Sequence, residues 1–199
     1  LTLCGRPMSI RQLLEKLAED DDFHRLSGGG VTLSGGEPLL HPDFCRKLFE
    51  QLGSTGTNRA LDTSAAVPFE ALETVLPATD LLLTDFNHPD SGRHRELTGS
   101  GNERIRDNLL RLQEFRIPIE IRIPLVPGCN DAPETLDAAA EFLSGLPRVV
   151  RVRLLAYHAF ARPKYEALGR PDTMPDVPSP TAEELEAAAG HFRKRGVAV

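Results

Sequence analysis

Residues 27–38 read SGGGVTLSGGEP, and no other stretch so narrows what this chain can fold into. Three glycines precede a short alternating run, Val31-Thr32-Leu33, and a second glycine pair follows, closed by Glu37 and Pro38. The pattern predicts a buried strand ending in a turn that bares its backbone. Gly35 and Gly36 have no Cβ, so a ligand can reach their amides and carbonyls, while Glu37 offers a carboxylate to a cation. The competing reading is an ordinary strand-to-helix connection that needs a positive φ.

The rest of the chain alternates helix and strand patterns. Ser9 caps a helix with Ile10, Leu13, Leu14 and Leu17 at helical spacing, and the acids Asp20, Asp21 and Asp22 after it read as a solvated run. A helix is expected over 42–52, apolar at Phe44, Leu48, Phe49 and Leu52. Then come a strand over 59–64, a helix over 68–75 and a strand over 80–85. Residues 86–101 read as a polar, glycine-containing loop. Asn102 caps a helix carrying Ile105, Leu109, Leu110 and Leu112. A strand over 119–123, a turn over 124–128, a helix over 132–143 and a strand over 149–155 follow. Residues 156–180 are rich in proline and make a poor helix. Thr181-Ala182-Glu183-Glu184 is a capping box opening a last helix to about residue 195.

Strands each followed by a helix require parallel pairing through right-handed crossovers, giving a barrel or an open doubly wound sheet. In either, the C-terminal strand ends lie together and carry the site. Here those ends present Ser34 to Glu37; Asp62, Thr63 and Ser64; Asp85 to Asn87; Arg122; and Tyr157-His158. Helix caps explain some of the Asp, Thr and Ser. The set still suits one kind of ligand. Glu37 with bared carbonyls suits an ammonium, the planar fork of Arg122 suits a carboxylate, and Asp62 or Asp85 can take hydroxyls or a cation. Ammonium, carboxylate and ribose together describe an amino-acid-bearing nucleoside, a description that S-adenosylmethionine fits.

Composition removes other classes. With 23 basic against 29 acidic residues the formal charge is −6, and no basic cluster interleaved with aromatics appears, so nucleic acid is not an expected partner. No apolar run nears the roughly 20 residues a bilayer span needs, so no membrane association is expected and a cytoplasmic location is. The 3 cysteines, Cys4, Cys45 and Cys129, are odd in number and far apart, without ligand spacing, which argues against a disulfide framework. The chain opens on Leu1-Thr2-Leu3 and stops at Gly196-Val197-Ala198-Val199, which reads as the start of a strand. A single domain, residues 1–199, cut at both ends, is expected.

These motifs, in order, resemble the glycyl radical enzyme activating enzymes, a radical S-adenosylmethionine family that includes pyruvate formate-lyase activase. The resemblance runs through SGGGVTLSGGEP at 27–38, ALDTS at 60–64, LLLTDF at 81–86, H-x-x-x-T-G at 94–99 with Asn102 and N-L-x-x-L at 108–112. It continues through I-R-x-P-x-x-P-G-x-N-D at 121–131, L-L-x-Y-H at 154–158 and K-Y-x-x-L-G at 164–169. It implies an α/β fold, a partial (β/α)6 radical-SAM barrel with a parallel sheet and its first strand missing. It also implies a 4Fe–4S cluster that cleaves S-adenosylmethionine reductively, and a 5′-deoxyadenosyl radical that takes hydrogen from a glycine of a partner glycyl radical enzyme. A flavodoxin or ferredoxin would donate the electron. By the same resemblance Gly35, Gly36 and Glu37 hold the methionine amino group, Asp62, Thr63 and Ser64 lie near methionine and ribose, and Asp85, Arg122 and His158 face the same cavity.

The chain departs from the family at several positions. Asn87 stands where the family has Lys in D-x-K, Ala65 where it has Gly after D-T-S, and Ala156 where it has Pro before Tyr-His. The CxxxCxxC that holds the cluster is absent, so no catalytic residue or metal ligand is assigned here, Cys4 included, and the isolated chain is expected to be inactive. A different class, a non-catalytic module binding S-adenosylmethionine or a degenerate remnant of the barrel, is the alternative. His88, Asp90 and His94 could suggest a metal site, but loop residues without supporting partners do not make one. Lys164 and Tyr165 could meet substrate or pack over the barrel's open side.

Overall fold

The computed structural model describes residues 5–199; Cys4 lies outside them. The chain divides into two compact units, Leu1–Leu83 and Thr84–Val199.

In the first unit, α1 (Ile10–Leu17) begins at a reciprocal capping box, Ser9 with Gln12, and α2 (Asp21–Ser27) stops at Gly28, whose φ is +67°. The strand β1 (Gly30–Leu33) leads through the glycine turn to α3 (Pro42–Gly53). That helix buries Cys45, Leu48, Phe49 and Leu52, the one-face spacing of an amphipathic helix. After β2 (Asn58–Thr63), α4 (Phe69–Val75) buries Phe69, Leu72 and Val75. β1 and β2 run parallel, with Gly30 opposite Asn58 and Leu33 opposite Leu61. Gly30 is required by contact, since a Cβ there would lie 2.0 Å from the Asn58 carbonyl oxygen. Full burial of Leu48, Phe49, Leu61 and Leu72, worth about 1.5–3 kcal/mol per side chain, holds this unit. At the base of β2, Arg59 grips Asp80 through Nε and Nη2, both at 2.7 Å. β3 (Leu81–Asp85) follows at once.

The second unit holds α5 (Ser91–Thr98), α6 (Glu103–Arg111), β4 (Ile119–Leu125), α7 (Pro133–Ser144), β5 (Val149–Ala156), α8 (Arg162–Ala167) and α9 (Ala182–Arg193). Phe86 stacks on Phe142 with ring centroids 5.4 Å apart, and the Arg106 guanidinium lies 4.0 Å above the Phe142 ring. β4 and β5 are parallel, and an irregularity between Ile119 and Glu120 leaves Val150 as an extra residue, so Glu120 faces Arg151 and Arg122 faces Arg153. The sheet order is β1-β2-β3-β4-β5.

Four expectations need correction. The segment 86–101 is not wholly a loop: α5 forms within it because the Asp90 side chain accepts from the Arg93 amide at 2.8 Å and caps it. Asn102 precedes α6 but its side chain makes no cap bond. Its amide instead donates to the carbonyls of His88 at 2.7 Å and Pro89 at 3.1 Å. β4 continues to Leu125, into the expected turn, and α8 interrupts the irregular passage beginning at Ala156.

Candidate functional site

In the first unit the candidates converge on Glu37. The turn before it needs Gly35, whose φ is +115°, and a Cβ on Gly35 or Gly36 would meet nothing within 4 Å. Both glycines are exposed, so their backbone is open to a ligand. Pro38–Leu40 forms one turn of 3₁₀ helix, and Glu37 caps it: Oε1 accepts from the Leu39 amide at 3.1 Å. The same oxygen accepts from the Thr63 hydroxyl at 2.7 Å. Oε2 accepts from the Ser64 amide at 3.0 Å and from the Ser64 hydroxyl at 2.7 Å. Four donors match the roughly four lone-pair sites of a carboxylate. Glu37 thus ties the end of β1 to the end of β2. Asp62 is half-buried between Leu61 and the buried Thr63.

The run continues through Ala65, a buried residue with φ +54°. Its amide donates to the Thr63 hydroxyl oxygen at 3.1 Å, and the Ala66 amide donates to the Ser64 hydroxyl oxygen at 3.3 Å. The position at which the family has glycine is therefore a left-handed one.

In the second unit Arg122 reaches Asp85, with Nε 3.1 Å and Nη2 3.0 Å from Oδ1, and the Phe86 amide donates to the Arg122 carbonyl at 2.9 Å. His158 is exposed and tilts against Phe160, ring centroids 4.2 Å apart. Its neighbour Tyr157 is pinned, hydroxyl to the Pro175 carbonyl at 2.7 Å. Asn130, not singled out from the sequence, joins two strand-end loops. Its amide donates to the carbonyls of Asn87 at 2.9 Å and Pro124 at 2.8 Å, and its oxygen accepts from the Val126 amide at 2.8 Å. The Pro-Gly-x-Asn-Asp run was the available signal, since Asn favours such side-chain-to-backbone turns. Also missed were Arg151 and Arg153, both bound to Glu120; the alternating Arg-Val-Arg placed them on one face.

His88 and His94 are buried pins. His88 Nδ1 accepts from the Asp90 amide at 3.0 Å, and His94 Nδ1 lies 2.7 Å from the Ser100 carbonyl. Among the described residues no group of His, Cys, Asp and Glu is placed to hold a metal. Cys45 is buried with Sγ 3.2 Å from the Pro38 carbonyl oxygen, and its thiol is pushed up by burial. The described residues do not fit an iron–sulfur cluster. In the first unit the exposed glycine turn leaves backbone groups open to a polar ligand.

A parallel α/β frame with polar groups at its strand ends is the frame of a cofactor-binding protein. The sequence profile of the Radical SAM superfamily matches residues 3–143. The chain is 35% identical over 202 residues to the (2S)-3-sulfopropanediol dehydratase activating enzyme of Klebsiella oxytoca, covering 99% of this chain and 64% of that protein. It is 34% identical over 198 residues to the pyruvate formate-lyase-activating enzyme of Staphylococcus aureus, covering 96% of this chain and 79% of that one. A solved domain of pyruvate-formate lyase-activating enzyme from Bacteroides vulgatus superposes with a TM-score of 0.72 at 33% identity, over 85% of this chain and 96% of that domain. The chain belongs to the radical SAM superfamily, whose members use S-adenosylmethionine and a 4Fe–4S cluster. Its fold is that of a partial radical SAM (β/α) barrel.

Proposed function

We propose that this chain is the S-adenosylmethionine-holding core of an enzyme that activates a glycyl radical enzyme. The reaction is reductive cleavage of S-adenosylmethionine at a 4Fe–4S cluster, after which the 5′-deoxyadenosyl radical removes a hydrogen from a glycine of the partner. The support is the Glu37 knot at the end of β1 and β2, in a chain about one-third identical to two activating enzymes.

In this reading the carbonyls of Gly35 and Gly36 receive the methionine ammonium, and Glu37 braces the turn that aims them. Asp62, Thr63 and Ser64 serve methionine and ribose, and Asp85, Arg122 and His158 serve the rest of the ligand. A rigid cradle matters because the radical must meet its target before water or another hydrogen donor does. A flavodoxin or ferredoxin supplies the electron, in the cytoplasm. Cluster ligands are not supplied by the described residues, so the isolated chain retains little iron and cleaves nothing.

The test is anaerobic incubation of a longer, cluster-reconstituted form containing this chain with dithionite and S-adenosylmethionine. Formation of 5′-deoxyadenosine is expected, with a glycyl radical signal by electron paramagnetic resonance when the partner is present. No 5′-deoxyadenosine would count against the activity; its formation without a glycyl radical would count against the partner.

A further inference from the structure

The extra residue Val150 turns β5 over. Ile119 pairs with Val149, but the next residue of β4, Glu120, pairs with Arg151, and Arg122 with Arg153. Without the irregularity, strict alternation would bring the valines beside Glu120. Val152 is instead fully buried on the opposite face, where α9 packs against β5.

The result is an unequal charge cluster on rigid strands. Glu120 has a side chain only 9% exposed, and it receives Arg151 Nε at 3.2 Å and Arg153 Nε at 2.9 Å. Arg153 Nη2 adds a longer bond at 3.4 Å. The neighbouring Arg122 contacts Asp85. Two guanidiniums therefore share the one carboxylate of Glu120, and the Arg151 and Arg153 side chains that carry them are 52% and 51% exposed. One arginine suffices to neutralise the buried Glu120. The second is held in place without being needed for that, and like charges at neighbouring strand positions cost stability. Two half-open planar forks fixed by a shared carboxylate are preorganised donors for an oxyanion.

We propose that Arg151 and Arg153, held by Glu120, form a subsite for a carboxylate side chain of the polypeptide substrate. This rests on the function proposed above. The same chemistry would accept the methionine carboxylate of S-adenosylmethionine, so the two sources are tested side by side.

Fluorescence anisotropy is read on the full chain with a labelled glycine-centred decapeptide carrying two glutamates, and with its glutamine counterpart; calorimetry reads S-adenosylmethionine. The acidic peptide is expected to bind about tenfold more tightly than the neutral one, an advantage that shrinks in 1 M salt. R151Q and R153Q each remove most of it, leaving the neutral peptide and S-adenosylmethionine within about twofold, and R153K falls between. Each single variant leaves Glu120 one arginine, so both should fold, as thermal melts would show. Equal binding of the two peptides, or unchanged preference in both variants, overturns the subsite. A loss confined to S-adenosylmethionine gives the cluster to the cofactor and overturns it too. Failure of either peptide to bind the unmodified chain overturns the subsite and the polypeptide substrate together, whereas failure of the radical chemistry appears separately as absent 5′-deoxyadenosine.

Discussion

Ser64 directs both of its donors, the amide at 3.0 Å and the hydroxyl at 2.7 Å, onto a single oxygen of Glu37. A carboxylate so used acts as a brace, because two residues far apart in sequence can then move only together. It thereby links the glycine turn after β1 to the end of β2.

Glu37→Gln tests the brace. Glutamine keeps one acceptor oxygen and turns the other into a donor, facing either the Ser64 amide or the Leu39 amide. A hydroxyl can rotate away from that conflict; a backbone amide cannot. The substitution should cost about 2 kcal/mol, in the range for a partly buried donor left unsatisfied. Urea denaturation measures it, and a double-mutant cycle with Ser64→Ala should return a coupling of about 1 kcal/mol. A loss under about 0.5 kcal/mol would show that the four bonds are not a structural unit.

Ala65 gives a second prediction, because its φ of +54° coexists with complete burial. Glycine would relieve roughly 1–2 kcal/mol of left-handed strain, but it would forfeit a buried methyl worth about 0.8 kcal/mol and add about 0.5–1 kcal/mol of chain entropy. These offset, so Ala65→Gly should be neutral within about 0.5 kcal/mol. Ala65→Val combines a β-branched residue at positive φ with overpacking and should lose more than about 2 kcal/mol. Equal stability of the two variants, measured by denaturant titration, would reject the strain argument.

The elements that periodicity could reveal were legible. The helix expected over 42–52 is Pro42–Gly53, and the box at Thr181 and Glu184 opens Ala182–Arg193. α5 escaped because it buries only His94 and owes its start to the Asp90 cap. Strand-end positions of the candidate site were legible for the same reason as the strands. Their partners were not. Three of the four donors to Glu37 come from residues 26 and 27 positions later, and the irregularity at Val150 changes register, which a period-two pattern does not encode.

The two described cysteines should differ in reactivity. Burial pushes the Cys45 thiol up, and the residue is 2% exposed, whereas Cys129 is half-buried in the loop after β4. Only a thiolate reaching solvent is alkylated. Iodoacetamide at pH 8 should therefore modify Cys129 first, with Cys45 on the order of a hundredfold slower, through opening of α3. Peptide mass mapping over time reads both sites. Comparable rates would mean that α3 opens far more readily than its buried face implies.

The Arg59–Asp80 pair sets an acid limit on the first unit. Asp80 is held below its ordinary value, first by the Arg59 side-chain hydrogen bonds, against the opposing effect of burial. A depressed carboxylate stabilises the folded state fully above its unfolded value of about 4, and that stability is lost as pH falls through the folded value. The pair is partly exposed, 19% for Arg59 and 34% for Asp80, so its contribution is discounted for solvent screening. Asp80→Asn should cost about 1–2 kcal/mol at pH 7, since the fork loses its charge-assisted bonds. Below pH 4 the variant and the unmodified chain should converge. The measurement is denaturant stability from pH 7 to pH 2: a constant gap across that range would mean that Asp80 contributes through shape rather than charge.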